Sequence, residues 1–582
     1  MNIRLVLKLL GTVCISLGVA MCFSLPWAFP VCGGVWEQEK NGVFGLLAST
    51  GICIFLGLVF RWQGRKSQST LFRKEAIAVV VLSWILVTVL GALPYCLSGT
   101  VRETRVEGDN VTRIKMNIYD GMFESQSGFS TTGTTVLSNV EDRTMISKCI
   151  LFWRGNTHFL GGIGIIVLLV AVLGQKGLGG KTVLRAERGG SPTEGTPASN
   201  VQNLAWSLFA IYVMLNILLI VILMFLKLSL FDAMCYAFSA LSTGGFSTYN
   251  ASAGHFITNP QYNGPAIEWV LIVFMFLGGC NFVLFYWCLL GQPMRLLRDV
   301  EWQTYLGITI VASAMITVYG VWHHDFDLYG TSDNPVIVNR REAMSPDYAP
   351  PSKETPAPLS YAIRTSCFHV VSFMTTTGFV SDEFEKWDAM SVAVLFAVMI
   401  VGSCAGSTAG GLKVFRVVLG YKILQTQIEQ TYHPSVVRNI WLNKKLIERD
   451  TLHDVAVYIG MYLFLIAAFT FLIAGVESDA TWLNYGYSPS AKMYDILGSV
   501  IACLSNVGPG VGITGARENF GAFSSLAKFI LTWTMLIGRL EVFAILAILT
   551  PRFWKSHTTT FPGLKLCVLI LFQTFLFVIL LV

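Results

Sequence analysis

The chain has 582 residues, 53% of them hydrophobic and 13% charged, with a net charge of +6 and a mean hydropathy of +0.59. A soluble globular domain carries about 25% charged residues, so a chain this long could not keep the surfaces of several soluble domains wet. The composition excludes a soluble enzyme, a disordered chain and a secreted disulfide scaffold, and it predicts an all-helical protein that crosses a membrane many times.

Spanning a bilayer as a helix takes about 20 apolar residues. Such runs lie near 5–23, 44–60, 77–98, 151–173, 205–227, 267–290, 303–322, 391–420, 453–475, 524–550 and 564–582. Arg4 and Lys8 give the first run the look of a signal peptide. It lacks an A-x-A cleavage pattern and a second run follows directly, so a retained helix is expected.

Basic residues orient the array. Segments 61–75 (Arg61, Arg65, Lys66, Arg73, Lys74), 174–204 (Lys176, Lys181, Arg185, Arg188) and 411–452 (among others Lys413, Arg416, Lys422) belong on the cytosolic side. The acid-rich segment 324–357 belongs outside. The positive balance is therefore a matter of topology and does not call for nucleic-acid binding. The 13 cysteines are scattered and form no CxxC pair, so no metal or redox framework is expected. Cys32 and Cys96 both fall in loops assigned to the outside and could pair.

Runs 77–98 and 151–173 must point in opposite directions, yet the segment between them is too polar to span. A short helix that enters the membrane and returns resolves the count, because non-helical backbone at membrane depth is tolerated where protein buries it or water lines it. That segment recurs four times: STTGTT (130–135), LSTGGFST (241–248), MTTTGFVS (374–381) and SNVGPGVG (505–512). Aligned on Gly133, Gly245, Gly378 and Gly508, the copies are 112, 133 and 130 residues apart.

Thirteen residues before these glycines stand Asp120, Asp232, Thr365 and Asp495, residue types suited to helix N-caps. A helix of about nine residues from each cap would be roughly 14 Å long, close to half a bilayer. Its partially negative C-terminal end would aim at the membrane centre and favour a cation. Glycine adopts cheaply the dihedrals needed to line up successive carbonyls, and four loops on one axis would offer carbonyl rings that replace a cation's hydration shell. Thr131, Thr132, Thr243, Thr376 and Thr377 add hydroxyls beside them.

Two further features lie downstream. Run 391–420 is interrupted by Gly402-Ser403-Cys404-Ala405-Gly406-Ser407-Thr408-Ala409-Gly410-Gly411. This reads either as a broken helix forming an intramembrane loop or as a GxxxG packing seam through Gly402, Gly406 and Gly410. Arg539 and Glu541 sit inside run 524–550, and a charge within a span marks a functional site by default. Residues two apart face different sides of a helix, so these two are not expected to pair. His158, His255 and His369 lack metal-ligand spacing and read as packing or surface residues. No GK[ST] follows the glycines at 177–180, so the chain itself is not expected to bind nucleotide.

With FESQSGFSTTGTT (123–135), AFSALSTGGFST (237–248), GSCAGSTAGGLKVFR (402–416) and GRLEVFAILAILTPRFW (538–554) in this order, the chain resembles the Trk/Ktr/HKT superfamily of cation transporters, most closely its TrkH-type potassium uptake branch. The resemblance covers about residues 1–556. It implies four helix–pore helix–helix units around one pore, preceded by an extra helix pair. The chain then divides into that pair with its basic loop (1–75), units at 76–175, 203–292, 303–425 and 450–556, and an apolar tail (557–582).

Carried over by motif, the resemblance implies an ion filter at Thr132 and Gly133, Thr243 to Gly245 (with Gly244), Thr377 and Gly378, and Asn506 to Gly508 (with Val507). It implies a gate at 402–411, including Ser403, Ser407 and Gly411, and a pore-facing barrier at Arg539. Some plant relatives that prefer sodium carry serine at the first filter glycine; Gly133 here favours potassium. The resemblance further implies a homodimer in the cell's inner membrane and a ring of cytosolic, nucleotide-binding RCK-type subunits, for which 411–452 is a plausible docking surface. No cofactor is expected, potassium being cargo. Passive flow and flow coupled to sodium or protons both fit these residues. The rival readings are a sodium or weakly selective transporter of the same fold, or a secondary carrier. A carrier would show one pair of interrupted helices, whereas this chain shows four re-entrant loops.

Overall fold

The computed structural model describes residues 2–66, 72–107, 110–173, 198–323, 325–326, 359–436, 438–443, 445–540 and 542–554. Among these, six helices are long and apolar enough to cross a membrane, and eight if two bent pairs each count as one span. The apolar tail 564–582 and Glu541 lie outside the described residues.

Helices Ile3–Cys22 and Trp36–Gln63 form the N-terminal pair. They approach closely where Gly11 meets the backbone of Gly57, so that a side chain at either position would strike the opposite helix. Four units follow, each an outer helix, a pore helix, a loop and an inner helix. The outer helices are Arg73–Leu97, Ala198–Phe225, Val300–His323 and Arg449–Val476. The pore helices are Ile118–Phe129, Leu230–Leu241, Leu359–Met374 and Lys492–Ser505.

Pore helices begin earlier than the sequence suggests. Asn117 is the true N-cap of the first and closes a capping box with Asp120, while Ser229 caps the second and accepts from the Asp232 N–H. Asp120 and Asp232 are thus third-position residues. There the carboxylate still faces the positive helix end, which explains why spacing alone misplaced the cap. Asp495 is the fourth residue of its helix, after the N-cap Ala491, and Thr365 lies inside the third pore helix.

Only the inner helix of unit 1, Lys148–Leu173, runs unbroken. In unit 2, Gly264–Gly278 and Phe282–Leu289 meet at 96°, which corrects the single span expected over 267–290. Gly278-Gly279 weakens the helix here, and Asn281 caps the next one by accepting from the Val283 N–H. In unit 3, Ala389–Val401 and Val414–Tyr432 flank a non-helical stretch. Gly402, Gly406 and Gly410 are therefore not a helical seam. In unit 4, Ser525–Leu540 and Val542–Leu549 meet at 116°.

An antiparallel hairpin, Val101–Glu107 with Asn110–Lys115, fills the first unit between outer and pore helices. Cys96 lies in the last turn of an outer helix, its thiol turned to the Asn117 carbonyl (3.7 Å). Cys32 ends a short turn whose carbonyl accepts from Lys148 Nζ (2.7 Å). Each is tied to a different element, and both are free thiols, so the pairing considered from sequence does not form.

Candidate functional site

The four loops leave their pore helices in one way. Thr131, Thr243, Thr376 and Asn506 all have left-handed backbone (φ 51°, 57°, 58° and 57°), and two residues on so do Gly133, Gly245, Gly378 and Gly508 (87°, 81°, 77° and 113°). Between them, the amides of Thr132, Gly244, Thr377 and Val507 bond back to the carbonyls of Ser127, Ser239, Ser372 and Ala502 at 2.7–2.9 Å. This six-to-one bond over a left-handed residue is a Schellman closure. Left-handed threonine is costly, and it recurs in three loops out of four.

The loops close a ring. A Cβ built on Gly133 would overlap the Gly244 carbonyl, one on Gly245 that of Thr377, and one on Gly378 that of Val507; one on Gly508 would stand 2.7 Å from the Thr132 carbonyl. Each of these four glycines therefore faces the carbonyl that precedes the glycine of the next unit, around the cycle and back to the first. A side chain at any of the four positions would force the facing carbonyl to shift and would be strained by the positive φ.

Buried hydroxyls brace the ring. Ser130 pairs with Thr132 at 2.6 Å and Thr375 with Thr377 at 2.7 Å. Ser127 Oγ and Ser372 Oγ donate to the carbonyls of Thr134 and Phe379 at 2.6 and 2.7 Å. Asn506 Nδ2 donates to Thr132 Oγ1 (2.9 Å) and to the Met535 carbonyl (3.0 Å). Behind the first loop, Glu124 takes a 2.6 Å ion pair from Arg154 and accepts from Thr135 Oγ1 and the Val136 N–H. His158 bridges loops 1 and 2: Nδ1 donates to the Gly128 carbonyl (2.8 Å) and Nε2 accepts from the Phe246 N–H (3.1 Å). It is a neutral packing residue. His369 is likewise buried, with the Thr365 carbonyl 2.9 Å from Nδ1. Among the described residues, no three His, Cys, Asp or Glu side chains stand together as metal ligands would.

On one side of the ring lies a vestibule lined by Gly133, Gly245, Gly378, Gly508, Asn250 and Arg517 among others. On the other side sits the break in the third inner helix. Gly402, Gly406 and Gly411 there have positive φ (70°, 74° and 75°). Its base is clamped, with Lys413 N–H on the Val401 carbonyl and Val414 N–H on that of Ser403, and Ser403 and Ser407 hydroxyls are 3.2 Å apart.

Its tip reaches the ring. The Gly410 N–H donates to Thr376 Oγ1 (2.8 Å), Thr243 Oγ1 to Thr408 Oγ1 (3.3 Å), and Gly410 packs against Ser505 and Asn506. Arg539 Nη1 donates to the Thr408 carbonyl at 2.6 Å, while its Nε and Nη2 are buried without a partner. The structure thus brings Arg539, the 402–411 segment and three of the four loops together.

Several residues of this assembly escaped the sequence reading. The bend at 278–282 holds the same segment, with Cys404 N–H on the Gly279 carbonyl and Phe282 N–H on that of Gly406. Its Gly278-Gly279-Cys280-Asn281 is a small-residue signal like that at 402–404. Arg154 and Lys528 are buried charges within apolar runs and qualify as markers by the rule applied to Arg539.

The chain matches the TrkH family model, described as a cation transport protein, over residues 46–555. It is 30% identical over 508 residues to the Trk system potassium uptake protein TrkH of Salmonella typhimurium, covering 87% of this chain and 91% of that one. It is 27% identical to the Trk system potassium uptake protein TrkH of Halomonas elongata, covering 96% and 100%. The crystal structure of the potassium transporter TrkH from Vibrio parahaemolyticus superposes with a TM-score of 0.75 at 26% identity, covering 95% of this chain and all of that one.

Proposed function

The chain belongs to the TrkH family of cation transport proteins, and on that premise we propose that it takes up potassium through the ring of four loops. It is a multi-helix membrane transporter and not an enzyme. The observation that carries the potassium reading is the cyclic contact of Gly133, Gly245, Gly378 and Gly508 with the carbonyls of Gly244, Thr377, Val507 and Thr132. Rings of fixed carbonyls replace water around a dehydrated cation. In this reading Thr131–Gly133, Thr243–Gly245, Thr376–Gly378 and Asn506–Gly508 form the filter, and the vestibule faces outward.

The 402–411 segment is the gate. Its hydrogen bonds to Thr376 and Thr243 set it directly under the ring, and Arg539 places positive charge in the cation's path. The cytoplasmic membrane is the proposed location, with the basic 411–452 segment on the cytosolic side. The relatives' shared designation as a Trk system supports association with further components; we assign a cytosolic nucleotide-binding RCK-type subunit to that side. A homodimer is supported by the stripe Tyr421, Leu424, Ile428 and Tyr432, all more than half exposed on a helix that also carries Lys422, Gln425 and Glu429.

The test is flux of potassium, rubidium, sodium and lithium into proteoliposomes holding the purified chain, wild type and Gly133→Ser. Potassium and rubidium should dominate in wild type, and the variant should lose that preference. Equal sodium flux in wild type would replace the potassium assignment with a weakly selective one. Absence of cation flux under every gradient, with or without a cytosolic partner, would favour a carrier.

A further inference from the structure

We infer that Glu301 is the positioning residue that latches the 402–411 segment beneath the filter. Glu301 is the second residue of the third outer helix and is 8% exposed. Its Oε1 accepts from two backbone amides, Ala405 N–H at 2.6 Å and Phe415 N–H at 3.3 Å. One donor lies within the non-helical segment, and the other lies in the first turn of the helix that follows it.

Both amides need an acceptor. Phe415 holds one of the N–H groups that a helix start leaves unpaired, and Lys413 at the cap position has φ 81° and makes no side-chain capping bond. Glu301 therefore acts as a cap supplied from another helix. Ala405 lies where Gly402 and Gly406 give the backbone dihedrals foreign to any helix, so no i−4 carbonyl is placed to receive its amide. One carboxylate oxygen ties both points to the third outer helix. The segment is also tied by backbone bonds to Gly278, Gly279 and Phe282 of the bend, and at its tip to Thr376, Thr243 and Arg539.

A segment held at Ala405 and Phe415 cannot swing out of the path as a unit. Releasing that oxygen leaves two buried donors unsatisfied, and they are satisfied most readily by moving the segment toward water. Glu301 thereby sets how often the path is clear, without touching the ion.

This inference rests on the gating role proposed above, and the experiment separates the two. Rubidium influx into proteoliposomes, with no cytosolic partner, is compared for wild type, Glu301→Ala, Glu301→Asp, Glu301→Gln and a variant lacking residues 405–409. The alanine variant should raise basal influx at least fivefold. The aspartate, too short to reach both amides, should raise it in the same direction, and it carries the test if the alanine variant does not fold. The glutamine, which keeps the acceptor oxygen, should stay within twofold of wild type. Potassium-over-sodium preference should be unchanged throughout, which a general loosening of the fold would not allow.

Influx that rises in the shortened variant but not in Glu301→Ala or Glu301→Asp overturns the latch and leaves the gate. No rise in the shortened variant overturns the gate, and the latch with it. A glutamine variant as leaky as alanine would show that the acceptor oxygen is not what holds the segment.

Discussion

Asn506 is the residue at which the fourth loop departs from threonine, and its backbone explains the change. The position requires φ near 57°, and asparagine tolerates left-handed backbone far better than a β-branched residue. Its amide also ties loop 4 to Thr132 and to the fourth inner helix. Asn506→Ala should lose about 2–3 kcal/mol through two buried hydrogen bonds and poorer backbone tolerance, and Asn506→Gly less, because its backbone is relaxed. Thermal unfolding in detergent checks the order; an alanine variant as stable as wild type would remove the argument. The four loop glycines that meet in the ring were legible because four copies shared one register. Glu301 was not, because a lone acid at the start of an apolar run looks like a solvated helix end until the partner amides, more than 100 residues away, are placed.

At the scale of the element, the re-entrant loops and the N-terminal helix pair follow from apolar length and small-residue content, whereas the small residues after Val401 fitted a break and a helical packing seam equally. The bend at 278–282 did not follow, since apolar residues continue on both sides of it. The 101–115 hairpin was hidden because a two-stranded ribbon between helices carries too little alternation to stand out from a loop. The turn Phe384–Lys386 shows what such connectors do. Glu385 Oε2 accepts from the Gly512 N–H at 3.0 Å and Oε1 from that of Ala516, joining the third post-filter segment to the fourth.

Burial, with Glu518 and Glu383 nearby, pushes the Glu385 carboxyl up to about 7 from an ordinary 4.5, against the lowering effect of the two amides. An acid whose folded value is raised binds its proton more tightly in the folded state. This group's contribution therefore favours folding as pH falls from about 7 toward 4.5 and is lost as pH rises through 7. Glu385→Gln should flatten the change in Tm between pH 5 and 8. An unaltered slope would mean that Glu385 does not titrate in that window.

At the scale of the whole molecule, every seam between units is bonded on the vestibule side. Val140 N–H meets Asn250 Oδ1 (2.9 Å), Gly254 N–H meets the Val380 carbonyl (3.3 Å), Gly512 meets Glu385, and Phe520 N–H meets the Thr135 carbonyl (2.8 Å). Ion pairs reinforce three of these seams: Arg364 of the third pore helix holds Glu268 of the second inner helix, Arg517 holds Glu383 at 3.1 Å, and Lys528 of the fourth inner helix holds Asp120 of the first pore helix at 2.6 Å. The last pair closes the circle between chain regions some 400 residues apart, with Arg102 as a second cation on Asp120. Lys528→Met should cost about 3 kcal/mol by leaving Asp120 underpaired, while Asp120→Asn with Lys528→Met should cost less than the two single changes summed. Strict additivity in thermal unfolding would show that the pair does not couple.

A ring written four times in one reading frame has quarters that can drift apart. In a channel built from identical subunits, one codon change alters four ligands at once, and most such changes are too large to survive. Here a substitution touches a single quarter: one loop carries Asn506 where the other three carry Thr131, Thr243 and Thr376, and Pro509 where they carry Thr134, Phe246 and Phe379. Ion preference in this architecture is therefore open to graded, single-step inheritance, one quarter at a time.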